Sequence, residues 1–495
     1  MDTETKSLLP NHNTVGTNYT ETGSVKSKAT QRTVSKRSAS DDSGSDAGTF
    51  IPENDTWGRE KNVSFLNILF VGLVFFFSPF IVIYFWICLE HFEGSLFYPL
   101  IEIYYRYSLD KLTVEWLTGL LPVPTRKGFY LYFGWLAFHG LAYLYFPSNI
   151  GYGQETPAGH VLPYRVNGFR IWILTHALFF IFTLVFPVFD GAIIAENWGA
   201  LLVATNVYGY FLTFFSYYKA QYFPTHPEDR KFSGSKLYDL VMGIELNPRL
   251  FGIDFKLFHN GRPGITAWTL INISFAYAQY KNLGYVTNSL VALIILHGIY
   301  VVDFFYNEDW YLRTIDIAHD HFGYYLAWGD SVWLPFMYTL QSFYLYRNPI
   351  DLSIPFFWAI MGLGLGGYFI FRECNNQKDI IRKAGGKGKI WGYEANVITA
   401  KYKTSDGETR VSYLLASGYW GLARHFNYFG DLMMCLAFCL TCGLDSLLPY
   451  FYFFYMIALL VHRTMRDQNR CKGKYGPYWD KYCELVPYKI VPYIF

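Results

Sequence analysis

Ser64-Phe-Leu-Asn-Ile-Leu-Phe-Val-Gly-Leu-Val-Phe-Phe-Phe-Ser-Pro-Phe-Ile-Val-Ile-Tyr-Phe-Trp-Ile-Cys88 contains no Lys, Arg, Asp or Glu. About 20 such residues are enough for a helix to cross a hydrocarbon core roughly 30 Å thick, so the stretch predicts a membrane span. Comparable apolar stretches follow near 128–147, 171–188, 198–217, 264–280, 287–306, 331–346, 355–372, 431–446 and 448–463. Several are short or contain Pro, and the last two can form a tight pair. The 495-residue chain is 52% hydrophobic, 21% aromatic and only 16% charged, against roughly 25% charged in soluble domains. The fold class this predicts is an all-α polytopic membrane protein with about ten transmembrane helices.

Lys and Arg set the orientation, because they collect on the cytosolic side. The segments 189–197 and 443–449 contain neither. Segment 218–262 carries Lys219, Arg230, Lys231, Lys236, Arg249, Lys256 and Arg262, and 373–430 and 463–495 are richer still. Ten helices with both termini cytosolic satisfy this alternation. Residues 1–60 are polar and low in apolar surface, which predicts a disordered cytosolic tail. The sequons at Asn18, Asn54 and Asn62 would then stay unmodified, and no cleavable signal peptide is visible. The rest divides into 61–372, with the first eight helices, and 373–495, with the last two. Within the latter, alternation around Asp406-Gly407 predicts a small hairpin outside the membrane.

Three polar constellations interrupt the apolar pattern. The first is basic and aromatic: Lys378 and Arg382, four apart on one helix face; Trp420-Gly-Leu-Ala-Arg-His-Phe-Asn427-Tyr428-Phe-Gly-Asp431; and His462 through Asp467, Arg470, Cys471, Lys474, Tyr475 and Tyr482. Arg grips phosphate bidentately and Lys acts as a point charge, while Trp and Tyr stack on flat rings. The pattern therefore suits a ligand with both phosphates and rings, against the plainer reading of a basic loop facing lipid headgroups. The second is Tyr300-Val-Val-Asp303, Glu308, His319-Asp320-His321, Tyr325 and Asp330, ionisable groups at or near membrane depth, where they are expensive. The third is Gly234-Ser-Lys-Leu-Tyr238-Asp239 through Glu245, Asn247 and Arg249. Two patterns are set aside. Gly362-Leu-Gly-Leu-Gly-Gly367 matches a dinucleotide fingerprint but lies in an apolar run with no βαβ unit, where small residues instead allow close helix approach. The seven cysteines form no secreted framework, and Cys439-Leu-Thr-Cys442 reads as packing. His319-Asp-His321 lacks the further His boxes of a di-iron site, so no metal is expected.

Gly234–Arg249 resembles the first signature of the sterol reductase family, and Leu459-Leu-Val-His462-Arg463 through Lys474-Tyr475-Gly476 resembles the second. The resemblance covers roughly 60–495. C14 reductases tend to read His-Asp-Gly-Phe-Gly-Phe where this chain has His319-Asp320-His321-Phe322-Gly323-Tyr324, which favours the members acting on the C7–C8 bond. The resemblance implies NADPH-dependent reduction of that bond in a Δ5,7-sterol, in a multi-pass endoplasmic reticulum membrane protein of cholesterol-type sterol biosynthesis. It implies cofactor contacts from Lys378, Arg382, Leu415, Trp420, Asn427, Tyr428, Asp467, Cys471, Lys474, Tyr475 and Tyr482 in a cytosol-facing C-terminal region. Tyr300 is the expected proton donor, assisted by Asp467, and Glu245, Glu308, His319, Asp320 and Tyr325 are candidates for the substrate side. The implied partners are the sterol, membrane lipid and other enzymes of sterol biosynthesis, with no nucleic acid. Competing readings are C14 or C24(28) reduction, a membrane methyltransferase of related C-terminal architecture, and a non-enzymatic sterol-binding anchor.

Overall fold

A computed structural model describes residues 62–403 and 409–495. The expected tail over 1–60 and the turn at Asp406-Gly407 lie outside the described residues. The main helices are α1 (Phe65–His91), α2 (Arg126–Tyr145), α3 (Gly168–Phe180), α4 (Trp198–Tyr222), α5 (Thr266–Leu283), α6 (Asn288–Tyr306), α7 (Leu340–Arg347), α8 (Ile354–Lys383), α9 (Phe426–Leu440), α10 (Phe451–Tyr475) and α11 (Pro477–Leu485). Every apolar stretch of the sequence falls on helical structure. Among the described residues, five segments are long and apolar enough to cross a membrane: α1, Gly168–Val185, α4, α6 and α8. With these the protein is an integral membrane protein.

α1 shows why apolar character alone does not mark its buried face. Ser64 caps it, its hydroxyl accepting from the Asn67 amide at 3.2 Å. Val71, Phe75, Val82 and Phe85 turn into the bundle, yet Phe65, Phe70, Phe76 and Phe80 stand exposed on the other side. A helix apolar all round belongs in lipid.

The stretch at 331–346 differs from the single helix its apolarity predicts. A wide π turn at Gly329–Trp333 leads into Leu334–Met337, and α7 begins only at Leu340. Pro335 supplies no amide and its ring crowds the preceding turn. Thr339 then donates to the freed Pro335 carbonyl at 2.6 Å.

Glycines set the tightest helix contact. A Cβ on Gly367 would lie 2.6 Å from the Gly430 carbonyl oxygen, and one on Gly364 2.7 Å from Leu296. The apparent dinucleotide fingerprint is thus a packing face that seats α8 on α9 and α6. Beyond α8 the chain forms an antiparallel pair, β1 (Val397–Lys403) and β2 (Thr409–Leu415), in register from Val397↔Leu415 to Lys403↔Thr409. Its inner face (Ile398, Ala400, Tyr402, Leu414) packs on Cys471, Tyr475, Trp479 and Tyr482 of α10 and α11.

Two buried ion pairs brace the first half. Lys219 donates to both Glu245 oxygens at 2.9 Å, with both residues at most 2% exposed. Arg262, fully buried, pairs with Glu308 and also donates to Asn167 Oδ1 at 2.9 Å. The Gly234–Arg249 and His319–Tyr324 stretches meet here. The Phe322 amide donates to the Glu245 carbonyl at 2.9 Å, and Gly243 (φ 84°) sits where a Cβ would be 2.5 Å from the Phe322 carbonyl carbon. Gly234 shares the positive φ (85°) but has open space around it. Gly234→Ala should cost about 1 kcal/mol, the backbone term alone, while Gly243→Ala adds overpacking of about 1–3 kcal/mol. Thermal inactivation in detergent should therefore show a clearly lower midpoint for Gly243→Ala than for Gly234→Ala.

Candidate active site

Helices α6, α8, α9 and α10 line one cavity of about 820 Å³. On α8 the lining runs Tyr368, Phe371, Arg372, Asn375, Lys378, Arg382; on α10 it runs Leu460, Arg463, Asp467, Arg470, Lys474. Both sets recur every three or four residues and so share a face. Each begins apolar and ends basic over roughly 20 Å at 1.5 Å per residue. The antiparallel α9 adds Asn427, Tyr428, Asp431 and Met434, and α6 adds Tyr300, Asp303 and Phe304. The cavity is therefore walled by both the 61–372 and the 373–495 parts of the chain, with a basic end and a deeper end of Tyr300, Met434 and Leu460.

All the positions expected to contact a cofactor line this cavity: Lys378, Arg382, Leu415, Trp420, Asn427, Tyr428, Asp467, Cys471, Lys474, Tyr475 and Tyr482. Tyr300 and His319 line it too. Glu245, Glu308, Asp320 and Tyr325 do not. The first two are held in the ion pairs described above. Asp320 pairs with Arg466, and its backbone carbonyl accepts from Lys256 at 2.8 Å.

The basic end is held by its own framework. Lys378 Nζ stands 4.1 Å over the Trp420 ring. The Trp420 indole donates to the Cys374 carbonyl at 2.6 Å, and the Tyr482 hydroxyl donates to the Trp420 carbonyl at 3.3 Å. Arg382 reaches the Tyr413 carbonyl at 3.4 Å, and Ser412 and Tyr475 share a hydrogen bond of 3.2 Å. Arg470 donates to Asp467 at 2.6 Å. Burial alone would raise the Asp467 carboxyl, but Arg470, His425 and Lys378 outweigh it and hold it below the usual carboxylate range. Asp467 is thus an anion at neutral pH. Burial, reinforced by Arg470, holds His319 down to about 3, leaving a neutral ring whose Nε2 accepts from Arg470 at 3.4 Å. His425 is likewise pushed down to about 4, chiefly by burial.

Two features indicate what the cavity accommodates. Lys378, Arg382, Arg424 and Lys474 line it with no carboxylate partner among the described residues, whereas Arg372, Arg463 and Arg470 are paired with Asp303, Asp316 and Asp467. Deeper in, Asn427 Oδ1 and Asp431 Oδ1 are buried acceptors with no hydrogen-bond partner among the described residues. Unpaired cations beside stacking rings fit a polyanion with aromatic groups, and orphaned acceptors fit an amide NH₂. A dinucleotide of nicotinamide type has both. Asp431 has no role assigned from the sequence pattern; its signal there is an acid entering an apolar run, four residues from Asn427.

A model of the ergosterol biosynthesis ERG4/ERG24 family matches residues 63–495. The chain is 46% identical over 451 residues to a protein of Danio rerio named 7-dehydrocholesterol reductase, covering 89% of this chain and 94% of that one. The Xenopus laevis protein of the same name gives the same figures. A Delta(14)-sterol reductase of Methylotuvimicrobium alcaliphilum is 36% identical over 418 residues, covering 84% and 92%. On this match, from the first described helix to Phe495, the chain belongs to the ERG4/ERG24 family of sterol reductases.

Proposed function

We propose that this protein reduces the C7–C8 double bond of a Δ5,7-sterol, with NADPH as reductant, in the endoplasmic reticulum membrane. The observation that carries the reading is the single cavity joining a basic, ring-lined end to a deeper end that holds Tyr300. The higher identity to the two 7-dehydrocholesterol reductases than to the Delta(14) enzyme favours the C7–C8 bond. The proposed topology is ten spans with both termini cytosolic, so that the basic end opens to soluble cofactor and the deeper end to lipid.

An isolated C=C bond resists hydride, whereas a conjugated diene that accepts a proton becomes an allylic cation. NADPH supplies the hydride when bound; the protein supplies the proton, the positioning and a site with little water. Tyr300 is the proposed acid. It packs between Trp268 and Phe438, at ring-centroid distances of 5.5 and 6.2 Å. A phenol with a reference pKa of about 10 is protonated at neutral pH and enters an apolar site at less cost than a charged acid. Asp467, as a carboxylate, cannot be that acid; it holds Arg470 and faces His425 at 3.6 Å. Lys378, Arg382, Arg424 and Lys474 receive the phosphates, Trp420 and Tyr428 the rings, and Asn427 and Asp431 the amide.

Incubating the purified protein with NADPH and Δ7, Δ14 and Δ24(28) sterols, followed by mass spectrometry, tests the assignment. Conversion should be confined to the Δ5,7 substrate, and preferred reduction of a Δ14 sterol would refute it. Tyr300→Phe should lower turnover at least about 100-fold, the scale of a lost general acid, with NADPH affinity unchanged. Near-normal turnover would remove Tyr300 from the role. Lys474 gives a pH test. Burial, then Arg470, lowers it to about 8 in the free protein. A phosphate favours its charged form, so NADPH affinity should fall as pH rises through that value. Lys474→Arg, whose charge persists, should make the fall shallower.

A further inference from the structure

A second cavity, of about 360 Å³, lies among α2, α3, α4 and α5 and the π turn at Gly329–Trp333, and shares no lining residue with the larger one. Its walls are aromatic and aliphatic, including Leu131, Trp135, Leu178 and Leu201, and no Lys or Arg lines it. Phe182, on its wall, is 38% exposed on a membrane-crossing segment. The cavity therefore meets the lipid-facing surface of the bundle.

Several of its polar groups are already satisfied. Thr175, Thr205 and Ser331 donate to the backbone carbonyls of Ile171, Leu202 and Ala327 at 2.7, 3.0 and 2.7 Å. His259 uses both ring nitrogens, on the Phe255 carbonyl and the Tyr208 hydroxyl, each at 2.8 Å. Asp330 is 7% exposed. Its Oδ1 accepts from Asn260 at 3.0 Å, but its buried Oδ2 has no partner among the described residues. A carboxyl left half-satisfied in so apolar a space is costly and marks the place where a ligand's one polar group belongs.

That ligand is mostly hydrocarbon, has a single hydrogen-bonding group, and fits a cavity at the small end of the roughly 300–1,000 Å³ range for ligand pockets. A phospholipid or fatty acid would bring an anion to a site with a carboxyl and no cation. We propose that this cavity is a second sterol site, in which the 3-hydroxyl of a sterol hydrogen-bonds to the Asp330 carboxyl and its rings fill the apolar space. The ligand class rests on the sterol-reducing reading above; the location and the Asp330 anchor do not.

The test uses the full-length protein in phosphatidylcholine nanodiscs, a photoreactive sterol with a free 3-hydroxyl, and mass mapping of the adducts. Labelling is expected on peptides of α2 and α3 and should be displaced by a plain 3-hydroxysterol. A 3-deoxy analogue should need at least about tenfold more, the scale of one hydrogen bond to such a group. Asp330→Ala should weaken displacement by a similar factor. Leu178→Trp, which fills the cavity and leaves Asp330 in place, should abolish this labelling and retain that near Tyr300. Competition by Δ5,7-sterol over its reduced product would mark a substrate-holding site, and the reverse a product-holding site; either supports the proposal. Labelling confined to the Tyr300 cavity, displacement indifferent to the 3-hydroxyl, or a hydrophobic amine outcompeting every sterol would overturn it. Labelling here in a protein that reduces no sterol would refute the reductase reading and leave this site standing.

Discussion

The structure depends on charges being neutralised where water is scarce, and α10 shows how this shapes everything around it. Arg463, Arg466 and Arg470 recur at helical spacing. The first two pair with Asp316 and Asp320 of the loop that follows α6, and the third with Asp467 on its own helix. On the opposite side Lys256, 2% exposed, donates to the carbonyls of Asp316, Ile317 and Asp320 at 3.1, 2.5 and 2.8 Å. An ammonium that deep is tolerable only with its protons accepted. The segment from Ile315 to Asp320, helical over Ile315–Ala318, is thereby gripped from both sides and gives the larger cavity a braced wall.

The same constraint separates bracing charges from available ones. Glu245 and Glu308 looked chemically promising because acids near membrane depth are rare. In the structure each is consumed by a buried cation, and breaking such a pair is expensive because it strands the partner. Lys378, Arg382, Arg424 and Lys474 are not consumed in this way, though they sit in a region dense with carboxylates. An excess of unpaired positive charge raises the local potential and favours an anion before any contact forms. The polarity gradient along α8 and α10 suits the proposed pair of ligands, with phosphates at the basic end and hydrocarbon at the apolar end.

Much of this was legible in the sequence. Apolar run lengths located most of the main helices, because hydropathy is the first requirement of a lipid-embedded segment; the polar α11 lies outside every such run. Lys378/Arg382 and the Asp467–Arg470–Lys474 series stood out because helical spacing places them on common faces. The family resemblance added Leu415, which has no chemical signal of its own; it lines the cavity through its place at the end of β2. Less legible were features fixed by tertiary geometry. The break at Pro335 and Thr339 hides in an apolar run whose composition suits a continuous helix. Pairings such as Lys219 with Glu245 and Arg262 with Glu308 join residues 26 and 46 apart, and no local pattern announces them.

Asp330 and Asp431 show why burial alone does not assign a role. Both are acids of similar exposure, 7% and 6%, and each keeps one carboxyl oxygen without a partner among the described residues. What separates them is company. Asp431 shares a cavity with Tyr300, Asn427 and a bank of unpaired cations; Asp330 shares one with Trp, Phe and Leu and no cation at all. The first setting fits a polar cofactor's amide, the second a lone hydroxyl on a hydrocarbon. An unpartnered acid points to a ligand only where it lines a cavity, as these two do and Asp229 does not.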